Sequence, residues 1–101
     1  MKYKVIISEL ATREVSSHIS FLANVSKQAA KETKQRFVEA IGSLSEMPGR
    51  FPFLDEEYIP KNKYHKTYVQ SWYLVLYQIK DDTVYVDYIL DCRQDYNWLL
   101  K

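Results

Sequence analysis

The first quarter of the chain begins with a short apolar segment and continues with apolar residues at helical spacing. Residues 3–8 are rich in β-branched side chains, which predicts a first strand. Over residues 8–25 the apolar side chains recur at helical spacing, and Ser8 or Thr12 can serve as the N-cap. His18 falls within this first helix and is predicted to lie on its surface.

A second helix is predicted over residues 27–46, with Ser26 as its N-cap, because apolar side chains recur there every three, four or seven residues. It is expected to end before Pro48, which lacks an amide donor, and Gly49, which tolerates left-handed backbone. The break between the helices is very short. The two helices should therefore form an antiparallel hairpin.

The period of apolar side chains changes to two in the second half of the chain. Residues 49–63 show no sustained period and contain Pro52 and Pro60, which indicates a surface loop. Alternation then predicts strands at residues 64–70, 72–79 and 84–90. The expected fold is α+β in the order βααβββ, one domain over residues 1–101, with the helical hairpin on one face of a four-stranded antiparallel sheet.

Composition narrows the class of protein. With 101 residues, 47% apolar and 27% charged, the chain has the make-up of one ordinary globular domain. The amino-terminal residues lack the apolar segment of a secretory signal, and no apolar run is long enough to cross a bilayer, so we expect a cytoplasmic protein without membrane contact. A single cysteine, Cys92, excludes an intramolecular disulfide, and no metal-ligand spacing is present, so neither metal nor cofactor is expected.

Charge and aromatic content point to one candidate surface. The net charge is only +1, yet Lys61, Lys63 and Lys66 lie together beside His65 and form a candidate patch for binding anions. The nine tyrosines are typical of an antiparallel sheet surface, and aromatic rings beside lysine can also stack on RNA bases. Composition does not separate these two interpretations.

The order of elements resembles the RelE/ParE superfamily of toxins from type II toxin-antitoxin systems. The sequence Y-H-K at residues 64–66, followed by W-Y-L-V-L-Y at 72–77, looks like the family's basic residue before a Y-x-V-x-Y strand. The sequence V-Y-V-D-Y-I-L at 84–90, followed by Arg93, looks like its last strand and trailing arginine. The resemblance covers essentially the whole chain.

The carboxyl-terminal sequence C-R-Q-D-Y at residues 92–96 is similar to the C-R-x-H-Y ending of YoeB-type toxins, which cleave mRNA on the ribosome. Asp95 stands where that group has a histidine, and Asp91 stands where many ParE-like members have one. Both departures put the family's usual acid chemistry in doubt.

The resemblance implies a bacterial toxin that a cognate antitoxin protein holds inactive and that meets DNA only through the toxin-antitoxin complex, as in plasmid stabilisation. Ribosome-dependent mRNA cleavage would need a base, an acid and positive charge near the phosphate. The residues that the resemblance suggests as catalytic are His65, Lys66, Arg93, Asp95 and Tyr96, and those for RNA or target binding are Lys61 and Lys63. Because neighbouring strand residues face opposite ways, only one of His65 and Lys66 is expected to reach the site.

Each of these residues also has a purely structural interpretation. Arg93 suits a phosphate contact but can equally pair with a neighbouring aspartate. His65 suits proton transfer, although a solvated strand histidine is the simpler interpretation. Tyr96 can stack on a base or simply pack the carboxyl-terminal segment onto the domain.

Three functions therefore remain open. The first is a ribosome-dependent endoribonuclease, or mRNA interferase, which the C-R-x-x-Y sequence favours. The second is a ParE-like inhibitor of DNA gyrase without hydrolytic activity; the near-neutral charge and the missing histidine favour either this function or a weak nuclease. The third is a non-toxic relic that binds only its antitoxin.

Overall fold

A computed structural model of the chain describes residues 2–57 and 60–91. The elements are β1 (Lys4–Ile7), α1 (Glu9–Val25), α2 (Lys27–Ser43), a 3-10 turn (Pro48–Arg50), β2 (His65–Val69), β3 (Tyr73–Lys80) and β4 (Thr83–Asp91). The predicted order of one strand, two helices and three strands is confirmed. In these described residues, neither helix is long and apolar enough to span a membrane.

Two serines cap the helices of the hairpin. The Ser8 hydroxyl accepts the Ala11 N–H at 2.9 Å and begins α1. Ser26 is the C-cap of α1 and also the N-cap of α2, because its own N–H donates to Leu22 at 2.7 Å and its hydroxyl accepts the Ala29 N–H at 3.1 Å. One extended residue thus reverses the chain, as the short break predicts.

The second helix ends three residues earlier than predicted, at Ser43 rather than residue 46. The next amides bond to carbonyls three residues back, which tightens the chain into 3-10 geometry. Met47, at φ 46°, takes the left-handed conformation that was expected of Gly49. The Arg50 guanidinium donates to the carbonyls of Ser43, Glu46 and Met47, and so satisfies the end of the helix.

The sheet has the order β1-β4-β3-β2, and the prediction of a fully antiparallel sheet is wrong. β2, β3 and β4 form an antiparallel meander, but β1 runs parallel to β4, with Lys4 opposite Thr83 and Ile7 opposite Val86. The tight turns of the meander force alternating directions. No tight turn joins β1 to β4, so the direction of β1 depends on how the helical hairpin and the long connection after it return the chain to the sheet, and local periodicity does not report this.

The sheet has two different faces. The face that packs against α1 and α2, called the helix face, carries the larger core. Its fully buried members include Phe37, Leu44, Val75, Tyr77 and Ile89. The opposite face, called the open face, has a smaller buried cluster of Leu54, Leu74, Leu76 and Leu90.

A β-bulge in β4 keeps apolar side chains on the helix face. The register with β3 shifts between Leu76 and Tyr77, so that Asp87 has no residue opposite it. Val84, Val86 and Ile89 therefore all belong to the helix-face core, although a regular strand would turn residue 89 to the other side.

Candidate functional site on the open face

His65 and Lys66 point to opposite faces of the sheet. Lys66 lies opposite Leu76 on the open face, and His65 lies opposite Tyr77 on the helix face. Of these two side chains, the one on the open face is Lys66.

His65 is enclosed in an aromatic and backbone environment. Its imidazole is 8% exposed, and Nδ1 lies 2.7 Å from the Phe51 carbonyl. The ring stacks on Tyr77 with centroids 5.2 Å apart and also packs on Phe53 at 4.1 Å. Because a carbonyl only accepts, Nδ1 donates in this contact, which fixes the ring in one orientation.

A pair of tyrosines forms the centre of the open face. Tyr64 precedes β2, and its ring packs edge-on against Tyr88 of β4, with centroids 5.9 Å apart. Both rings lie on the leucine cluster of this face. The Lys63 ammonium lies 5.3 Å from the centroid of the Tyr64 ring, which brings a second cation to the same surface.

The bulge residue Asp87 completes a polar cluster with these tyrosines. Gln78 Nε2 donates to Asp87 Oδ2 at 2.6 Å. Burial raises the pKa of Tyr64 to about 12, and the negative charge of Asp87 and the hydrogen bond with Tyr88 act in the same direction. Tyr64 therefore remains a protonated phenol at neutral pH.

The cluster is better suited to recognition than to proton transfer. Protonated phenols donate hydrogen bonds, Asp87 accepts them, and the aromatic rings and leucines provide apolar contact area. Lys66, half-buried on the same face, adds a positive charge. The described part of the chain contains no group of three or more histidine, cysteine or acidic side chains that could hold a metal ion.

The remaining predicted site residues fall in different places. Lys61 is exposed in the turn before β2 and does not lie on a strand. Arg93, Asp95 and Tyr96 lie outside the described residues.

Sequence reasoning missed the roles of Tyr64, Asp87 and Tyr88. A signal for the bulge was present, because apolar residues at 84, 86 and 89 break the alternation by one position. His18 was also misjudged, since it is half-buried against the sheet rather than on the helix surface.

The family described as "ParE toxin of type II toxin-antitoxin system, parDE" matches residues 5–96. A solved structure, "Chromosomal ParDE TA system from P. aeruginosa", is similar with a TM-score of 0.72 and 12% sequence identity, over 89% of this chain and 96% of that chain. At this identity the likeness concerns the fold. A comparison with curated proteins finds no match.

Proposed function

The chain belongs to the ParE family of type II toxin-antitoxin toxins, and from this premise we propose that it inhibits DNA gyrase in the bacterial cytoplasm by binding through the open face. Its first partner is a cognate antitoxin, which holds it inactive. Gyrase is the target when the antitoxin is lost. No hydrolytic step is needed for this activity.

The orientation of His65 is the observation that carries the proposal. A ribonuclease of this superfamily is expected to place a proton-transfer residue beside its cations. Here the histidine lies on the helix face, with Nδ1 bonded to Phe51 and its ring stacked on Tyr77. Lys66 on the open face is instead accompanied by tyrosines and leucines, which favour a protein contact.

Ribosome-dependent mRNA cleavage is the second candidate function. The sequence C-R-Q-D-Y at residues 92–96 favours it, because Arg93 suits a phosphate and Tyr96 suits a stacked base or a proton donor. These residues follow β4 directly in the chain.

Two assays on one preparation distinguish the candidates. The purified toxin is tested for inhibition of gyrase supercoiling and, in parallel, for mRNA cleavage by toe-printing during translation. We expect inhibition of supercoiling and unchanged toe-prints. Cleavage within ribosome-bound mRNA, with normal supercoiling, would contradict the gyrase proposal and support the second candidate.

A charge reversal on the open face tests the surface itself. Lys66→Glu should weaken gyrase inhibition by about tenfold or more, because it places a negative charge within the contact. Lys34→Glu is the matched control, since Lys34 is exposed on α2, which packs on the opposite face of the sheet. Inhibition of gyrase at the wild-type level by both variants would exclude the open face as the contact.

Growth arrest and the role of Arg93 are tested in cells. Expression without antitoxin should stop growth, and Arg93→Ala should relieve the arrest while the fold, measured by circular dichroism, is unchanged. The reason is that alanine lacks the guanidinium, the group type that binds phosphates and carboxylates through charge-assisted hydrogen bonds. If Arg93→Ala still arrests growth at matched expression, Arg93 has no essential contact with the target, and the structural interpretation as an ion pair is favoured.

A further inference from the structure

β4 is longer than the strand beside it, and α1 occupies the part of its edge that β1 leaves free. β1 pairs with β4 only as far as Ile7 opposite Val86. Ser8 continues the contact, because its N–H donates to the Val86 carbonyl at 2.9 Å and its hydroxyl donates to the Asp87 carbonyl at 3.0 Å. From this point the chain turns into α1 and no longer runs beside β4.

Two side chains of α1 then bind the backbone of Ile89. The Ile89 N–H donates to Glu14 Oε1 at 2.9 Å, and the Ile89 carbonyl lies 3.2 Å from His18 Nε2. Since the carbonyl only accepts, Nε2 carries the proton in this contact. Glu14 and His18 are four residues apart on one helix face, so they meet both groups of one strand residue, as a neighbouring strand would.

The surroundings hold both side chains in place. The His18 ring packs on Tyr73, with centroids 4.8 Å apart, at the edge of the helix-face core. Burial raises the pKa of Glu14, while the Ile89 N–H and the nearby His18 act in the opposite direction. The hydrogen bond from the Ile89 N–H therefore offsets part of the cost of burying this carboxylate.

We propose that Glu14 and His18 are positioning residues for the open face. Glu14 and His18 belong to α1, on the helix face, and bind the backbone of Ile89. They thereby set the positions of its neighbours Tyr88 and Leu90, which lie on the open face. They act just after the bulge at Asp87, where the regular ladder with β3 is interrupted. The functional part of this inference rests on the proposed use of the open face to bind the target.

The structural half of the proposal is tested by amide hydrogen exchange and chemical shifts in the full chain. Glu14→Ala should speed exchange at Ile89 by about tenfold and shift the Tyr88 and Leu90 resonances, because the amide loses its acceptor. Glu14→Gln keeps an acceptor oxygen and should preserve the wild-type pattern. Glu9→Ala is the matched control on the same helix, since Glu9 pairs with Arg13 at the surface.

The functional half is tested by gyrase inhibition at a temperature where all variants are folded. Glu14→Ala should raise the half-inhibitory concentration about tenfold, and Glu14→Gln should have the half-inhibitory concentration of the wild type. His18→Phe is a second variant, which keeps an aromatic ring against Tyr73 but cannot donate to Ile89; it should behave like Glu14→Ala. Both defects should appear without loss of helical content.

Two results would overturn the inference. One is full inhibition by Glu14→Ala while Ile89 exchange is accelerated, since the contact would then be broken without effect. The other is unshifted Tyr88 and Leu90 resonances in both Glu14→Ala and His18→Phe. A wild-type protein that leaves gyrase untouched would count against the proposed function alone, because the resonances still decide whether these side chains position β4.

Discussion

At the scale of single residues, the face of the sheet decides what a side chain does. His65 and Lys66 are neighbours in sequence, yet one is enclosed by aromatic rings and the other shares a face with the polar cluster. Tyr77 and Tyr64 show the same contrast. Tyr77 is fully buried and donates to the Pro48 carbonyl at 2.6 Å, whereas Tyr64 is half-buried on the open face.

Tyr77 should make the protein sensitive to alkali. Burial raises its pKa from 10.0 to about 12, against the opposing effect of Arg50. A group whose folded pKa is raised contributes stability below its unfolded pKa, and that contribution is lost as the pH rises from 10 towards 12. We therefore expect Tyr77 to lower the free energy of unfolding by roughly 1–3 kcal/mol across this window, and Tyr64, whose pKa is also raised to about 12, to act in the same direction.

The measurement is urea unfolding as a function of pH, with tyrosinate absorbance followed in parallel. Tyr77→Phe should be less stable at neutral pH by about 1–2 kcal/mol, because the Pro48 carbonyl loses its buried donor. It should also show a shallower loss of stability in alkali. An equally steep loss in the variant would assign the alkaline transition to other tyrosines.

At the scale of elements, the turn between β2 and β3 has a backbone conformation that its residue types do not favour. The Trp72 N–H donates to the Val69 carbonyl at 3.2 Å, and both residues between them have positive φ, 55° at Gln70 and 63° at Ser71. Such turns match the twist of a hairpin but favour glycine or asparagine. The Thr33 hydroxyl donates to Gln70 Oε1 at 2.7 Å and ties the turn to α2.

Ser71→Gly should therefore stabilise the protein. Glycine removes the steric cost of left-handed backbone, and after its greater entropy in the unfolded chain the net gain should be about 0.5–1 kcal/mol. Chemical unfolding measures the effect, and Ser71→Ala is the control, because it keeps the Cβ atom and should bring no gain. A glycine variant less stable than wild type would show that the serine side chain makes a compensating contact.

At the scale of the whole molecule, we expect exposed apolar side chains to form the surface for the antitoxin. Phe21 and Val25 on α1 are 65% and 76% exposed, and Val38 on α2 is 66% exposed. Ile6 and Ile7 of the edge strand β1 are also exposed, at 38% and 41%. An edge strand with exposed apolar side chains suits a partner that adds a strand, and exposed apolar side chains on the helices suit one that packs a helix.

We expect the antitoxin to protect the helical hairpin and a sheet edge, and also to obstruct the open face around Lys66. Hydrogen exchange of the toxin with and without its cognate antitoxin measures this. Protection should appear in α1, α2, β1 and the open-face strands. Protection restricted to the charged outer surfaces of the helices, with none along any strand, would contradict this arrangement.

Much of the fold follows from the sequence alone, because helices and hairpins depend on neighbours a few residues apart. Local signals are present for the serine caps at Ser8 and Ser26, for the two helices that these serines begin, and for the three-stranded meander. All of these features are found in the structure. The family resemblance likewise rests on the order of these elements.

The sequence carries a signal for the bulge at Asp87, in the apolar residues at 84, 86 and 89, but only the tertiary structure decided the direction of β1 and the binding of Ile89 by Glu14 and His18. The direction of β1 and the binding of Ile89 depend on groups more than seventy residues apart, and the period of a strand carries no information about its partner or its direction. The bulge in turn decides which side chains of β4 reach the open face. The candidate site is therefore a product of long-range packing around residues whose local roles the sequence already determines.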